Sequence, residues 1–231
     1  MTTSVKMTTS AAEPLYDAKR GIYYTKPKFR GWSHLVWFEV SLVVGTLALA
    51  HAHGARAVAS LAIYVSSVSA LFGVSALYHR GNWTGRSNQL LQRMDHAMIF
   101  VLIAGTATPA FLLANHGTYG IVCLTLMWSF TLTAAGVHMA WMSAPETLVG
   151  GTFIGLGCTA AAALPAVWIN GGIAAGVLMI AGGLLYILGA VSYHRRWLDR
   201  SPAVFGYHEV FHAYVCAAAA CQYIAIVLFI D

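Results

Sequence analysis

A chain of 231 residues in which 58% are apolar and only 9% charged lies outside the range of ordinary water-soluble domains and reads as an integral membrane protein. Its excess of five positive charges sits beside apolar runs, where it meets anionic lipid headgroups, so membrane lipids rather than nucleic acid are the expected partners. Cys123, Cys158, Cys216 and Cys221 all fall inside apolar runs without disulfide or metal-knuckle spacing, and read as small packing residues.

The first 32 residues are polar, Ser/Thr-rich and then basic, with no apolar signal core, and are expected to form a largely flexible tail. From residue 33 to 231 the chain reads as one transmembrane domain. Seven apolar stretches follow one another near 33–53, 57–79, 94–114, 118–140, 148–169, 173–193 and 208–230. Each is long enough to cross about 30 Å of hydrocarbon as a helix. None has the alternation of a barrel strand, and backbone groups in lipid must be satisfied internally, so the fold class is all-α, a seven-transmembrane helix bundle.

Pro109, in the third stretch, marks a kink. Gly151 with Gly155, and Gly172 with Gly176, are spaced to let helices approach closely. Gly117, Gly171 and Gly172 sit in short connections that end helices.

The basic residues set the orientation. Lys6, Lys19, Arg20, Lys26, Lys28 and Arg30 lie in the tail; Arg80, Arg86 and Arg93 lie around the second connection, and Arg195, Arg196 and Arg200 around the sixth. In a chain of seven spans these regions share one side, and only Arg56 falls on the other. The positive-inside rule therefore places the N-terminus in the cytoplasm and Asp231 outside, in a multi-pass protein of the plasma membrane.

The seventh span opens with FGYHEVFHAYV, in which His208 and His212 are four residues apart. They project from one helix face, about 6 Å apart in depth, and two imidazoles so placed can share a metal ion or simply sit among headgroups. The second span ends SALYHR on the same side, bringing His79 to that depth with Ser75 one turn deeper. The third begins RMDHAMIF and carries Asp95 into the bilayer. An ionisable residue there is a functional candidate, its plainer readings being a helix N-cap or an ion pair with Arg80 or Arg93.

SALYHR, RMDHAMIFVLIAGTATP, GGLLYILGA and FGYHEVFHAYV, with KPKFRGWSHL ahead of the first span, resemble the hemolysin III family from Lys26 onward. That family is grouped with the progestin and adipoQ receptors and is more distantly related to alkaline ceramidases. The resemblance implies a zinc ion held near the cytoplasmic face by three histidines, which fall on His79, His208 and His212. It places the family's motif aspartate on Asp95 and its serine on Ser75, and it leaves Glu209 outside the zinc site.

Three imidazoles on zinc leave a fourth position for water, whose pKa falls towards about 7, so such a site makes hydroxide. Asp95 then reads as the general base and Ser75 as a hydrogen-bonding partner of the water or of the oxygen that becomes anionic when a carbonyl is attacked. A substrate reaching the site from the inner leaflet or through the bundle would be a lipid-like amide or ester. Two other readings use the same residues: a non-enzymatic regulator of membrane state, or a pore, with a structural zinc, and an intramembrane peptidase in which Glu209 of His-Glu-x-x-His is the base. The peptidase needs a further ligand, and only Asp231, at the far surface, is a carboxylate after His212.

The remaining polar residues have simpler roles. Glu209 is expected at the interface or paired with Arg195, Arg196 or Arg200. His34, His96, His138 and His194 are expected among headgroups, and His51, His53 and His116 in the outer connections. Glu39, two turns into the first span, is expected to hydrogen-bond a neighbouring helix. Tyr78, Trp83, Trp197 and Tyr207 belong to an interfacial aromatic belt.

Overall fold

A computed structural model describes residues 15–17, 22–24, 26–115, 117–141, 143–199 and 201–230. Lys6, Lys19, Arg20, His116, Arg200 and Asp231, to which the sequence gives roles, lie outside the described residues.

The apolar runs form the helices α1 (Trp32–His51), α2 (Ala55–Arg80), α3 (Gly85–Pro109), α4 (Thr118–Ala140), α5 (Glu146–Ala161), α6 (Leu164–Asn170), α7 (Gly172–Arg195) and α8 (Tyr207–Val227). Taking α5 with α6 as one span gives seven that are long and apolar enough to cross a membrane, of 20 to 30 residues each. In the tail, Leu15–Asp17 and Ile22–Tyr24 pair as a short antiparallel hairpin, β1 and β2, with Tyr16 opposite Tyr23.

Three boundaries differ from the sequence expectation, each for a local reason. The third span starts nine residues early, because 85–93 continue the helix on the charged side of the bilayer. Asp95 therefore lies about 15 Å along α3 from its start, which removes the N-cap reading. Pro109 is accommodated by a wide π-turn over Ala110–Ala114 rather than by a break. The fifth span is interrupted at residues 162–163, where Pro165 at the start of α6 cannot donate to the preceding turn.

Large apolar side chains such as Val43, Leu126, Leu132, Ile154 and Leu184 point outward, as expected where lipid is the solvent. Small residues point inward and set how closely helices approach. A Cβ on Gly45 would strike Val65, one on Gly105 would strike Ser67, and one on Gly182 would come within 3.0 Å of the Ala218 carbonyl of α8. The paired glycines singled out in sequence mostly do otherwise. Gly151 and Gly155 have open space around them, Gly172 opens α7 with φ of +83°, and only Gly176 is packed, against Trp168.

α2, α3 and α8 bury the largest shares of their lengths. α2 packs on α1 and α3, while α8 packs mainly on α7 and more lightly on α1. α2 and α8 share no extensive backbone face. Their side chains meet in one apolar cluster that includes Leu61, Tyr64, Phe72, Val215, Cys216 and Ile226.

The segment 26–31 does not behave as loose tail. The backbone N–H groups of Lys28 and Phe29 donate to the carbonyls of Ala203 and Val204, each at 3.1 Å, and Lys26 Nζ donates to the Gly81 carbonyl at 3.0 Å. These contacts place the strap 26–31, the α2–α3 connection and the α7–α8 connection at one end of the bundle. Burial first, then the neighbouring Arg30 and Arg80, hold the Lys26 ammonium below the usual lysine value. Arg56, at the start of α2, lies at the opposite end.

The charge rule then predicts the side. A reporter active only in the cytoplasm works when fused to the tail or the α2–α3 connection, and one active only outside works after Asp231; the reverse pattern would invert the placement of every site residue.

Candidate metal centre

Three helices bring five polar residues to the basic end of the bundle. The last two turns of α2 carry Ser75 and His79, the first two turns of α8 carry His208 and His212, and α3 carries Asp95. The periodicity of α8 turns both of its histidines to one face, and the end of α2 meets that face.

One ligand atom from each of His79, His208 and His212 lies within 4.8 Å of the other two. Nε2 of His208 and Nε2 of His79 are 3.1 Å apart. Two lone pairs at that distance repel unless a proton or a cation lies between them. Nitrogen ligands at 2.0–2.1 Å from a tetrahedral ion are separated by about 3.3 Å, so the observed spacing suits a shared metal. His79 and His212 are buried, and His212 Nδ1 has no hydrogen-bond partner. All-nitrogen donors suit zinc and its neighbours in the first transition row, and do not suit calcium or magnesium. The cluster can hold a metal ion.

Asp95 approaches from the same direction. Its Oδ2 is 3.5 Å from Nε2 of His79, the nitrogen that faces His208, so the carboxylate lies on the ligand side of that ring. Ser75 is buried and its hydroxyl faces the Asp95 carboxyl. The ion pair of Asp95 with Arg80 or Arg93 expected as its plainer reading is not formed. Arg93 donates through Nη1 to the Met139 carbonyl at 2.9 Å, and the Arg80 guanidinium stacks 3.9 Å over the Trp32 ring.

The structure adds residues that the sequence reading put elsewhere. His34 is not among headgroups. It is buried on α1, stacked flat on His212 with ring centroids 3.7 Å apart and planes 8° apart, with its edge against Phe72. Both of its ring nitrogens are buried, and neither makes a well-formed hydrogen bond. Its stack fixes the plane of the His212 ring. His138 is likewise buried, with Nε2 3.3 Å from Nδ1 of His96, because α4 packs on α3 at this level. The signal for His34 was its place in KPKFRGWSHL, one turn into α1 on the same side as the other histidines.

Glu209 is the second correction. It pairs with Arg30 Nε of the strap, and its other oxygen accepts the N–H of Gly206 at 2.8 Å, closing the first turn of α8. The expected partners Arg195 and Arg196 instead lie over the rings of Trp197 and Tyr207, at 5.7 and 5.1 Å. Glu209 is thus buried, ion-paired and directed to the helix start, the opposite of a carboxylate poised to take a proton from water. Glu39 also differs from expectation. It lies on the exposed outer face of α1 and makes no hydrogen bond to a neighbouring helix among the described residues. The four cysteines are unpaired; Cys216, one turn along α8 from His212, is buried, while Cys158 is exposed.

Comparison with known proteins covers the whole of this arrangement. The family described as "Haemolysin-III related" matches residues 22–223, from the tail hairpin to within α8. The chain is 27% identical over 174 residues to the Hemolysin-3 homolog of Bacillus subtilis (strain 168), covering 74% of this chain and 78% of that protein. It is 28% identical over 181 residues to Hemolysin-3 of Bacillus cereus, covering 77% and 78% respectively.

Proposed function

The chain belongs to the haemolysin-III-related family of membrane proteins, and on that premise we propose that it is a zinc-dependent hydrolase of the plasma membrane acting on an amide or ester bond of a lipid-like substrate. The observation that supports this reading is the position of Asp95 Oδ2, 3.5 Å from the inward-facing nitrogen of His79. A carboxylate held beside the ligand nitrogens serves reaction chemistry in a way that a purely structural site does not need.

His79, His208 and His212 would hold the zinc. When bound, zinc supplies a Lewis acid and lowers the pKa of water at the site to about 7. Asp95 takes the proton of the attacking water at Oδ2 and returns it to the leaving group, and Ser75 orients Asp95 through its hydroxyl. His34, flat against His212, keeps that ring in the plane its nitrogen needs. Apolar walls built from α2, α3 and α8 keep bulk water out, and a substrate with acyl chains enters from the inner leaflet.

A second reading is favoured by one specific feature. α2 and α8 share little backbone contact, and a metal joining His79 to the α8 histidines would tie them together in a regulator of membrane state. The two readings separate on metal removal. The purified chain is incubated with ceramide-like amides, phospholipid esters and unstructured peptides, before and after treatment with a chelator. A hydrolase turns over an amide or ester lipid, loses that turnover on chelation and regains it when zinc is restored. Hydrolysis of no lipid, together with a lower melting temperature on chelation, would replace the hydrolase by the regulator.

A further inference from the structure

The three histidines come from two helices that share little backbone contact. α2 is braced by α1 and α3, and α8 by α7 and, lightly, by α1. Something must fix the first turn of α8 against the last turn of α2, and the strap 26–31 touches both.

On the α2 side, Lys26 Nζ donates to the Gly81 carbonyl at 3.0 Å, directly after the helix end. Gly31, in the left-handed region at φ of +76°, packs so closely that an added Cβ would lie 2.8 Å from the Cβ of His79. The Arg80 guanidinium over Trp32 adds a third tie. On the α8 side, Arg30 pairs with Glu209, the residue next to His208, and the backbone of Lys28 and Phe29 is bonded to residues 203 and 204 of the preceding loop. Glu209 has 2% and Arg30 11% side-chain exposure, so the pair is shielded and screened little.

We propose that Arg30, clamped by Glu209, is a positioning residue of the metal centre, and that the strap sets metal affinity by holding His208 and His79 at chelating distance. The proposal rests on the metal-binding reading of the three histidines, and it is independent of whether the site hydrolyses anything. Its physical basis is preorganisation. A chelate whose ligands are already in register loses less freedom on binding, and residues that hold ligands in place contribute to affinity without touching the ion.

Electrostatics and positioning make opposite predictions for Arg30. A guanidinium near a dication repels it, so on charge alone Arg30→Gln would tighten zinc binding. Positioning predicts the reverse. Zinc affinity is measured on the purified full-length chain by competition with a chelating dye, for wild type, Arg30→Gln, Glu209→Gln, Arg30→Lys and Lys26→Met. Cobalt substitution gives a parallel reading, because the intensity of its visible bands reports the ligand geometry.

Arg30→Gln and Glu209→Gln are expected to weaken zinc by about 10–100-fold and to alter the cobalt spectrum. Arg30→Lys keeps the charge, loses the planar fork and falls between them and wild type. Lys26→Met loosens the α2 end of the strap and weakens zinc in the same direction. Should Arg30→Gln fail to fold, Arg30→Lys and Lys26→Met carry the same test without leaving a buried carboxylate unpaired. Wild-type affinity or tighter binding in the folded Arg30 and Lys26 variants would overturn the clamp while leaving the site in place. A wild-type chain that binds no zinc would overturn both, a result distinct from the first.

Discussion

Asp95→Asn lowers turnover of an amide or ester lipid by about 10²–10⁴-fold, the range for losing general base catalysis, while Glu209→Gln assayed with zinc in excess loses far less, because it disturbs only the placing of His208. Each substitution removes one negative charge at nearly constant shape, so the contrast reports position. Asp95 Oδ2 lies on the ligand side of His79, whereas Glu209 is committed to Arg30 and to the N–H of Gly206. Excess zinc matters because Glu209→Gln, with the clamp on the strap lost, is expected to hold the metal less tightly. An intramembrane peptidase reverses the order, with Glu209→Gln abolishing cleavage of peptides. Equal and unchanged rates for both variants would remove Asp95 from the reaction.

His79→Ala, His208→Ala and His212→Ala each lose zinc. The wild-type chain purifies with about one equivalent, and removing any one of three ligands costs more than the about 10–100-fold that follows loss of an outer partner. Asp95→Asn and Ser75→Ala keep most of the metal, since neither belongs to the mutually close group of ligand atoms. Metal analysis by mass spectrometry on protein washed with weak chelator decides the matter. Full zinc in all three histidine variants would move the site elsewhere in the chain. Loss of metal in Asp95→Asn to the same degree would make Asp95 a ligand rather than the base.

Where the sequence was readable, the physics was local. Runs of some 20 apolar residues can only be helices in lipid, so the spans near 33–53 and 118–140 agree with α1 and α4 to within two residues. The four-residue spacing of His208 and His212 fixes their common face by helix geometry alone, and the count of spans puts His79 and Asp95 at the same end. Pro165 interrupts its span as proline should, although the run around it reads as continuous.

Composition, apolar run length and charge asymmetry thus determined by themselves the seven-span bundle and the end of it to which Ser75, His79, Asp95, His208 and His212 come, while their reading as one metal site came from the resemblance to the hemolysin III family. The bundle and that end follow from the cost of exposing backbone or charge to hydrocarbon, which acts residue by residue. The tertiary structure decided what those residues touch. Glu209 turned from the loop arginines to Arg30, His34 left the headgroups to stack on His212, and residues 26–31 became a strap rather than a tail. These contacts join segments 175 or more positions apart in the chain, and they arise because one loop folds back across the mouth of the bundle. No periodicity records such a return, since it depends on how all seven spans pack around one another.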